Sequence, residues 1–270
     1  MQSSKYLSII KISMQDNLEY RFNFFTTFIF MIAPLAVHIC LWTTVYGVGV
    51  SEENLSNYSY QMMITYTILG HCLDKFTVDI NQQLRVCNEI QDGVISKYLL
   101  LPVSYFNTNV SYLITNRIVY FVTLIIPYLL VIFCFRSQFM FNSDLMYFLI
   151  FIIAILAAIF ISFMVNHLIA LVTFWLKDIS SLYVFTQSTF SFLAGGYFTL
   201  DLLPTWAFNL LMHTPFPYIL YFPVAIYMKK LDLGKIKYYG MIAGIWIVVL
   251  LILNSIVWKR GVKKYSADGM

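Results

Sequence analysis

Asp74, Lys75 and Asp79 are the first candidates for chemistry, because they are charged and lie at the end of a largely apolar run. Ionisable groups inside membrane-length segments are costly and mark ion or substrate paths unless they pair. Lys75 and Asp79 stand four residues apart, so an ion pair on one helix face accounts for them without a ligand. His38, His71, His167 and His213 are scattered singly, and a hydrogen-bonded structural role is expected of each rather than metal ligation. Cys40, Cys72, Cys87 and Cys134 lack C-x-x-C spacing and are expected as packing thiols, not zinc ligands or disulfides. No G-x-x-x-x-G-K-[ST] loop is present to cradle nucleotide phosphates, and H-E-x-x-H, G-x-S-x-G and G-x-G-x-x-G are missing too. No catalytic residue, metal site or bound cofactor is therefore expected in this chain.

The elements carrying these residues are set by a composition of 60% hydrophobic, 18% aromatic and 11% charged residues over 270 positions. With a mean hydropathy of +0.75, that excludes an ordinary soluble domain and a disordered chain. Apolar runs of about 18 residues or more cross a hydrocarbon core as helices, whereas a transmembrane barrel would show short alternating segments. The predicted fold is all-α: a polytopic membrane protein with six transmembrane helices, near 22–47, 58–78, 118–135, 145–176, 179–200 and 239–258. Residues 1–21 include an amphipathic stretch, Tyr6 to Tyr20, that suits the membrane interface, and no cleavable signal peptide is expected. Arg117, after the polar run Ser104 to Asn116, is expected where the third span meets the membrane surface.

Lys and Arg near the span ends give the orientation. Lys5, Lys11 and Arg21, then Arg85 and Lys97, then Lys177, and finally Lys259, Arg260, Lys263 and Lys264 agree on one side only if the spans are even in number and both termini are cytoplasmic. The chain is therefore expected as a multi-pass membrane protein with a cytoplasmic tail at 259–270. Pro215, Pro217 and Pro223 argue against a seventh span and for an outer re-entrant segment over 200–228. Lys229, Lys230, Lys235 and Lys237 then fall outside, against the positive-inside tendency. No basic run suits nucleic acid.

The connection from Asn88 to Pro102 has its own signature: polar residues, a turn at Gly93, then an apolar stretch ending at Pro102. It predicts a compact cytoplasmic knob within residues 84–104. With Tyr20-Arg21, Trp42, Tyr66, Phe174-Trp175, the run Gly195-Gly196-Tyr197-Phe198-Thr199-Leu200-Asp201-Leu202-Leu203-Pro204-Thr205-Trp206, Pro215-Phe216, Tyr221-Phe222-Pro223 and Trp258-Lys259-Arg260-Gly261, it resembles the six-span bacterial permease subunits of type-2 ABC transporters, of the exporter class. The resemblance runs nearly end to end. It implies a single transmembrane domain over 1–270, an N-terminal elbow helix, and a coupling helix carrying Glu89, Ile90, Gly93, Tyr98, Leu99 and Pro102. It also implies an outer gate or re-entrant segment carrying Gly195, Gly196, Pro204, Trp206, Pro215, Pro217 and Pro223. The implied partners are cytoplasmic ABC ATPase subunits, which hold the ATP and Mg, and a second permease, identical or homologous, in the lipid bilayer. Leu101 stands where relatives often have a basic residue, and a glycine usual near Met228 or Lys229 is absent.

The membrane spans are poor in central charge, which favours an amphipathic or apolar substrate over a small ion. The rival expectations are an integral-membrane lipid-modifying transferase, for which Asp74, Asp79 and Asp201 form no recognisable array, and a non-transporting scaffold or immunity protein. Gly240 and Gly244 are spaced for a close helix contact.

Overall fold

A computed structural model describes residues 23–48, 58–77, 80–100, 103–176 and 180–268, and every regular element among them is helical. The helices are α1 (Asn23–Gly47), α2 (Tyr60–Thr77), α3 (Ile80–Gln91), α4 (Ile95–Leu100), α5 (Tyr105–Cys134), α6 (Leu145–Leu171), α7 (Ser180–Leu193), α8 (Thr205–Met212), α9 (Tyr221–Tyr227) and α10 (Leu233–Asp268). Short 3-10 turns occupy Val172–Phe174, Leu200–Leu202 and Phe216–Tyr218. The expected elbow at 1–21, and Pro102 and Asp79, lie outside the described residues.

Among the described residues, three helical stretches are long and apolar enough to cross a membrane: Tyr105–Cys134, Leu145–Phe174 and Leu233–Tyr265. The apolar stretch Ile32–Gly47 of α1 is shorter. Among the other expected spans, α2 has half of its 18 residues buried inside the protein, and α7 has 14 residues.

The hub is α6. It packs against α2, α3, α9 and α10, and Ala154, Ala158 and Ser162, spaced by four and buried, give it a narrow face for close approach. Asp144 starts α6 by accepting a hydrogen bond from the Met146 amide at 3.1 Å.

Two spans differ from their expected bounds for identifiable reasons. The third begins at Tyr105, not near 118, because the polar run is itself helical. Thr108, Asn109, Ser111 and Thr115 each donate to the carbonyl four residues back, at 3.1, 3.0, 3.0 and 3.0 Å, and so carry their polarity inside the helix. Arg117 is buried within the protein, beside the end of α2. It is 7% exposed and donates to the carbonyls of Phe76 and Thr77 at the end of α2, which supply the negative helix terminus a buried cation requires. The last span runs on to Asp268, so the expected tail begins as helix. Gly240 and Gly244 face open space.

Candidate functional site

The α3–α4 hairpin is built on an amphipathic helix. Gln83, Val86, Cys87 and Ile90 recur at helical spacing and are buried where α3 meets α6 and the Val172–Phe174 turn, while Leu84, Asn88 and Gln91 face outward. The turn comes at Gly93, whose φ of +75° suits a residue without a β-carbon. The Asp92 amide closes the end of α3 on the Asn88 carbonyl at 2.8 Å, and the Ser96 amide starts the return on the Gly93 carbonyl at 3.2 Å.

Ile95, the first residue of α4, is fully buried and plugs a small apolar cluster with Val86, Ile90, Leu171 and Phe174. A polar clamp lies beside it. Glu89 accepts from Arg85 at 3.0 Å, from the Tyr105 hydroxyl at 2.7 Å and from the Tyr98 hydroxyl at 3.4 Å. Arg85 also donates to Asn109 Oδ1 at 2.6 Å and lies 3.7 Å from the Tyr112 ring centre. Burial, then the nearby Glu89 carboxylate, pushes the Tyr98 hydroxyl up to about 12. From the far end of the chain, Tyr265 OH reaches the Gly93 carbonyl at 3.2 Å and Ser96 Oγ at 2.8 Å. Trp258 stacks on Tyr105 with ring centres 4.7 Å apart.

The expected coupling residues therefore divide. Glu89, Ile90 and Tyr98 hold the hairpin together from inside, and Gly93 makes its turn. Leu99 faces outward beside Val94 and Leu100, and Leu100 is 87% exposed. Arg85, Tyr105, Asn109 and Tyr265 were not among the expected site residues. Of their contacts, only the four-residue spacing of Arg85 and Glu89 was visible as a pair in the sequence.

The expected outer residues gather at the opposite end. Gly195 has φ +86°, and a β-carbon there would stand 2.7 Å from Tyr66 OH, which donates to the Gly195 carbonyl at 2.7 Å. A β-carbon on Gly196 would meet the Ser191 carbonyl at 2.9 Å. Pro204 precedes α8 and Trp206 is 73% exposed on it, whereas Pro215, Pro217 and Pro223 are buried at the starts of short helical turns, where a missing N–H costs little.

Asp201 ties this end together. It accepts from the hydroxyls of Tyr58, Tyr221 and Thr199 at 2.5, 2.7 and 3.1 Å. Two of the anomalous lysines are engaged here: Lys229 pairs with Asp144 at 3.2 Å, and Lys230 lies 3.9 Å from the Tyr58 ring centre.

Other residue expectations resolve as follows. Two of the histidines meet: His38 Nδ1 and His71 Nε2 are 2.6 Å apart across α1 and α2. The four cysteines are free. Asp74 accepts from Ser191 at 3.4 Å. Among the described residues, no group of three or more His, Cys, Asp or Glu could hold a metal ion.

No curated protein matches this sequence. The family model for ABC-2 family transporter protein matches residues 23–269. A chain of apolar helices with a buried hub, an anchored hairpin with an apolar tip, and that family match belongs to the ABC-2 transporter family, the multi-pass membrane permeases that associate with ABC ATPase subunits.

Proposed function

We propose that this chain is one permease of an ATP-driven exporter in the bacterial plasma membrane, with both termini in the cytoplasm. It forms the translocation path with a second permease, identical or homologous, and carries an amphipathic or apolar substrate. ATP and Mg are held by the partner ATPase, and the α3–α4 hairpin docks on that subunit. The observation that carries this reading is the division within the hairpin. Its inner residues are locked to α5, α6 and α10, while Val94, Leu99 and Leu100 leave an exposed apolar tip among the described residues. Exposed apolar residues at the end of a rigid element fit a protein contact.

Affinity purification of the full chain from its native membrane tests the assignment. A P-loop ATPase is expected to co-purify with the wild type and to be lost or weakened at least about tenfold with L100D, which removes one apolar anchor at the centre of a contact. Undiminished recovery with L100D would remove the hairpin tip from the interface, and absence of any ATPase from an otherwise intact complex would remove the transporter reading. Uptake of a small hydrophilic ion by the purified complex would overturn the substrate class.

A further inference from the structure

Where the hairpin helix α3 packs on α6, the two helices enclose a cavity of about 10 Å³, bordered by Gln82 and Gln83 of α3, Phe163 and His167 of α6, and Arg117 of α5. That is the space one water molecule fills, and it admits nothing much larger. Two of the bordering side chains are held by the protein itself. Gln82 Nε2 donates to the Asn109 carbonyl at 2.7 Å, and Arg117 donates to the carbonyls of Phe76 and Thr77.

The other two polar side chains differ. Gln83 is 3% exposed and His167 is 5% exposed. Among the described residues, neither Gln83 Nε2 nor His167 Nε2 has a hydrogen-bond partner, and leaving a buried polar group unpaired is costly. The state of His167 follows from its other nitrogen. Asn254 Nδ2 donates to the carbonyls of Met164 and Leu250 at 3.1 and 2.9 Å, so Asn254 Oδ1 is the atom that accepts from His167 Nδ1 at 2.8 Å. In the neutral ring Nε2 is then an acceptor, while Gln83 Nε2 is a donor.

An occupant must therefore donate to His167 and accept from Gln83 at once. An anion has no proton to give. A metal cation would face the N–H groups of Gln83 and the guanidinium of Arg117, and no Asp or Glu lines the cavity to balance its charge. Water meets both demands and fits the volume.

We propose that this cavity binds one water molecule, which accepts from Gln83 Nε2 and donates to His167 Nε2 and so bridges α3 to α6. The hairpin then grips α6 in two ways: through the apolar patch of Val86, Ile90, Ile95 and Leu171, and through a solvent bridge that can break and re-form. In the exporter proposed above, the bridge lies between the hairpin and the helix that carries its movement into the membrane. The site itself requires only the folded chain and does not depend on which ATPase or cargo it serves.

The test is radiolytic hydroxyl labelling of the purified full chain in detergent, read residue by residue by mass spectrometry. Radicals generated from a bound water oxidise the side chains around it even where bulk solvent does not reach. Phe163 borders the cavity, whereas Phe151, nearer the start of α6, does not; the two rings are 4% and 7% exposed. Phe163 is expected to be labelled well above Phe151 in the wild type. Gln83→Met with His167→Phe removes the donor and the acceptor and should abolish that excess, leaving Phe151 as it was. Gln83→Met alone, the milder change, should reduce it. Labelling of Phe163 no greater than that of Phe151 in the wild type, where no variant has to fold, would overturn the site. So would an excess that persists in the double variant at an unchanged melting temperature.

Discussion

Replacing Glu89 with alanine separates an anchoring residue from a docking residue. The carboxylate holds three donors: Arg85 at 3.0 Å, Tyr105 OH at 2.7 Å and Tyr98 OH at 3.4 Å. The Tyr105 bond is short and charge-assisted, worth about 1.5–3 kcal/mol. The ion pair is partly open to water, with the Arg85 side chain 26% exposed, and contributes at most about 1 kcal/mol. The longer Tyr98 contact adds little. Because Arg85 keeps Asn109 and the Tyr112 ring, its charge is not abandoned, and the loss to the hairpin is about 2–3 kcal/mol. At about 1.4 kcal/mol per factor of ten, the hairpin should open about 30- to 150-fold more often. Hydrogen exchange on the isolated full chain reads this directly. Amides in Ile95–Leu100 should exchange faster by that factor, those in the buried half of α6 should not, and Glu89→Gln, which keeps one acceptor, should fall between. Protection of α4 unchanged within about threefold would refute the anchoring role, since only loss of a clamp changes local opening in the absence of a partner.

Gly261 should not tolerate alanine. The Phe174 ring occupies the place where its β-carbon would stand, and Trp175, Trp258 and Tyr265 surround that ring, so overpacking of about 1–3 kcal/mol outweighs the gain of about 1 kcal/mol in helix propensity. A melting temperature equal to or above that of the wild type would contradict this. Asp201→Ala removes the common acceptor of three hydroxyls at the opposite end and should destabilise that end by about 2–4 kcal/mol, read as faster proteolysis near α8 and α9, with little change at the hairpin. The hydrogen bond from Lys229, followed by the Met146 and Tyr147 amides and the charge of Lys229, holds the Asp144 carboxyl below the usual range. A lowered carboxylate pKa stabilises above the ordinary carboxylate range and ceases to do so as pH falls through the lowered value. Acid should therefore weaken the α6 start in the wild type, and hydrogen exchange there in Asp144→Asn should show no such acid step.

The turn at Gly93 was legible because breaker residues act locally: a glycine after a polar helix end sets a reversal whatever surrounds it. The buried face of α3 was not read in advance: Val86, Cys87 and Ile90 repeat at helical spacing, but the face also holds the polar Gln82 and Gln83, which hide it in a composition that reads as a polar connection. What could not be read were the bonds spanning long stretches of chain, such as Tyr265 to Gly93, 172 residues apart, and His38 to His71, 33 apart. Nor could the partner of Arg117 be read: the polar run before the apolar one proves to be helix, because its side chains bond to their own preceding turn, and the cation is held by the open carbonyl end of α2. Lys229 and Lys230, expected outside against the charge rule, prove to be engaged within the protein, one paired with Asp144 and the other lying against Tyr58.

In the exporter proposed above, these contacts set the path that force from a docked ATPase would follow. A load on Leu99 and Leu100 meets Ile95, which is fully buried against Leu171 and Phe174, so the hairpin cannot yield locally without opening an apolar cavity. It is passed to α6, whose far end is tied to α9 by packing and to Lys229 through the Asp144 ion pair. It is also passed to α10 through Tyr265 and the Phe174–Gly261 contact. Close-packed interiors have low compressibility, so these two paths move as bodies. The hold between α2 and α5 is of another kind: Arg117 donates to the carbonyls of Phe76 and Thr77, beside a cavity of about 10 Å³ whose lining includes Thr77, Gln82, Gln83, Asn166 and Arg117 itself. Hydrogen bonds to a flexible side chain can lengthen and re-form over short displacements, whereas packed apolar faces cannot. In the proposed exporter, the Arg117 contact is thus the one through which α2 and α5 would shift against each other with least loss of packing, and Arg117→Lys, which cannot hold both carbonyls in the same geometry, should speed amide exchange at the end of α2.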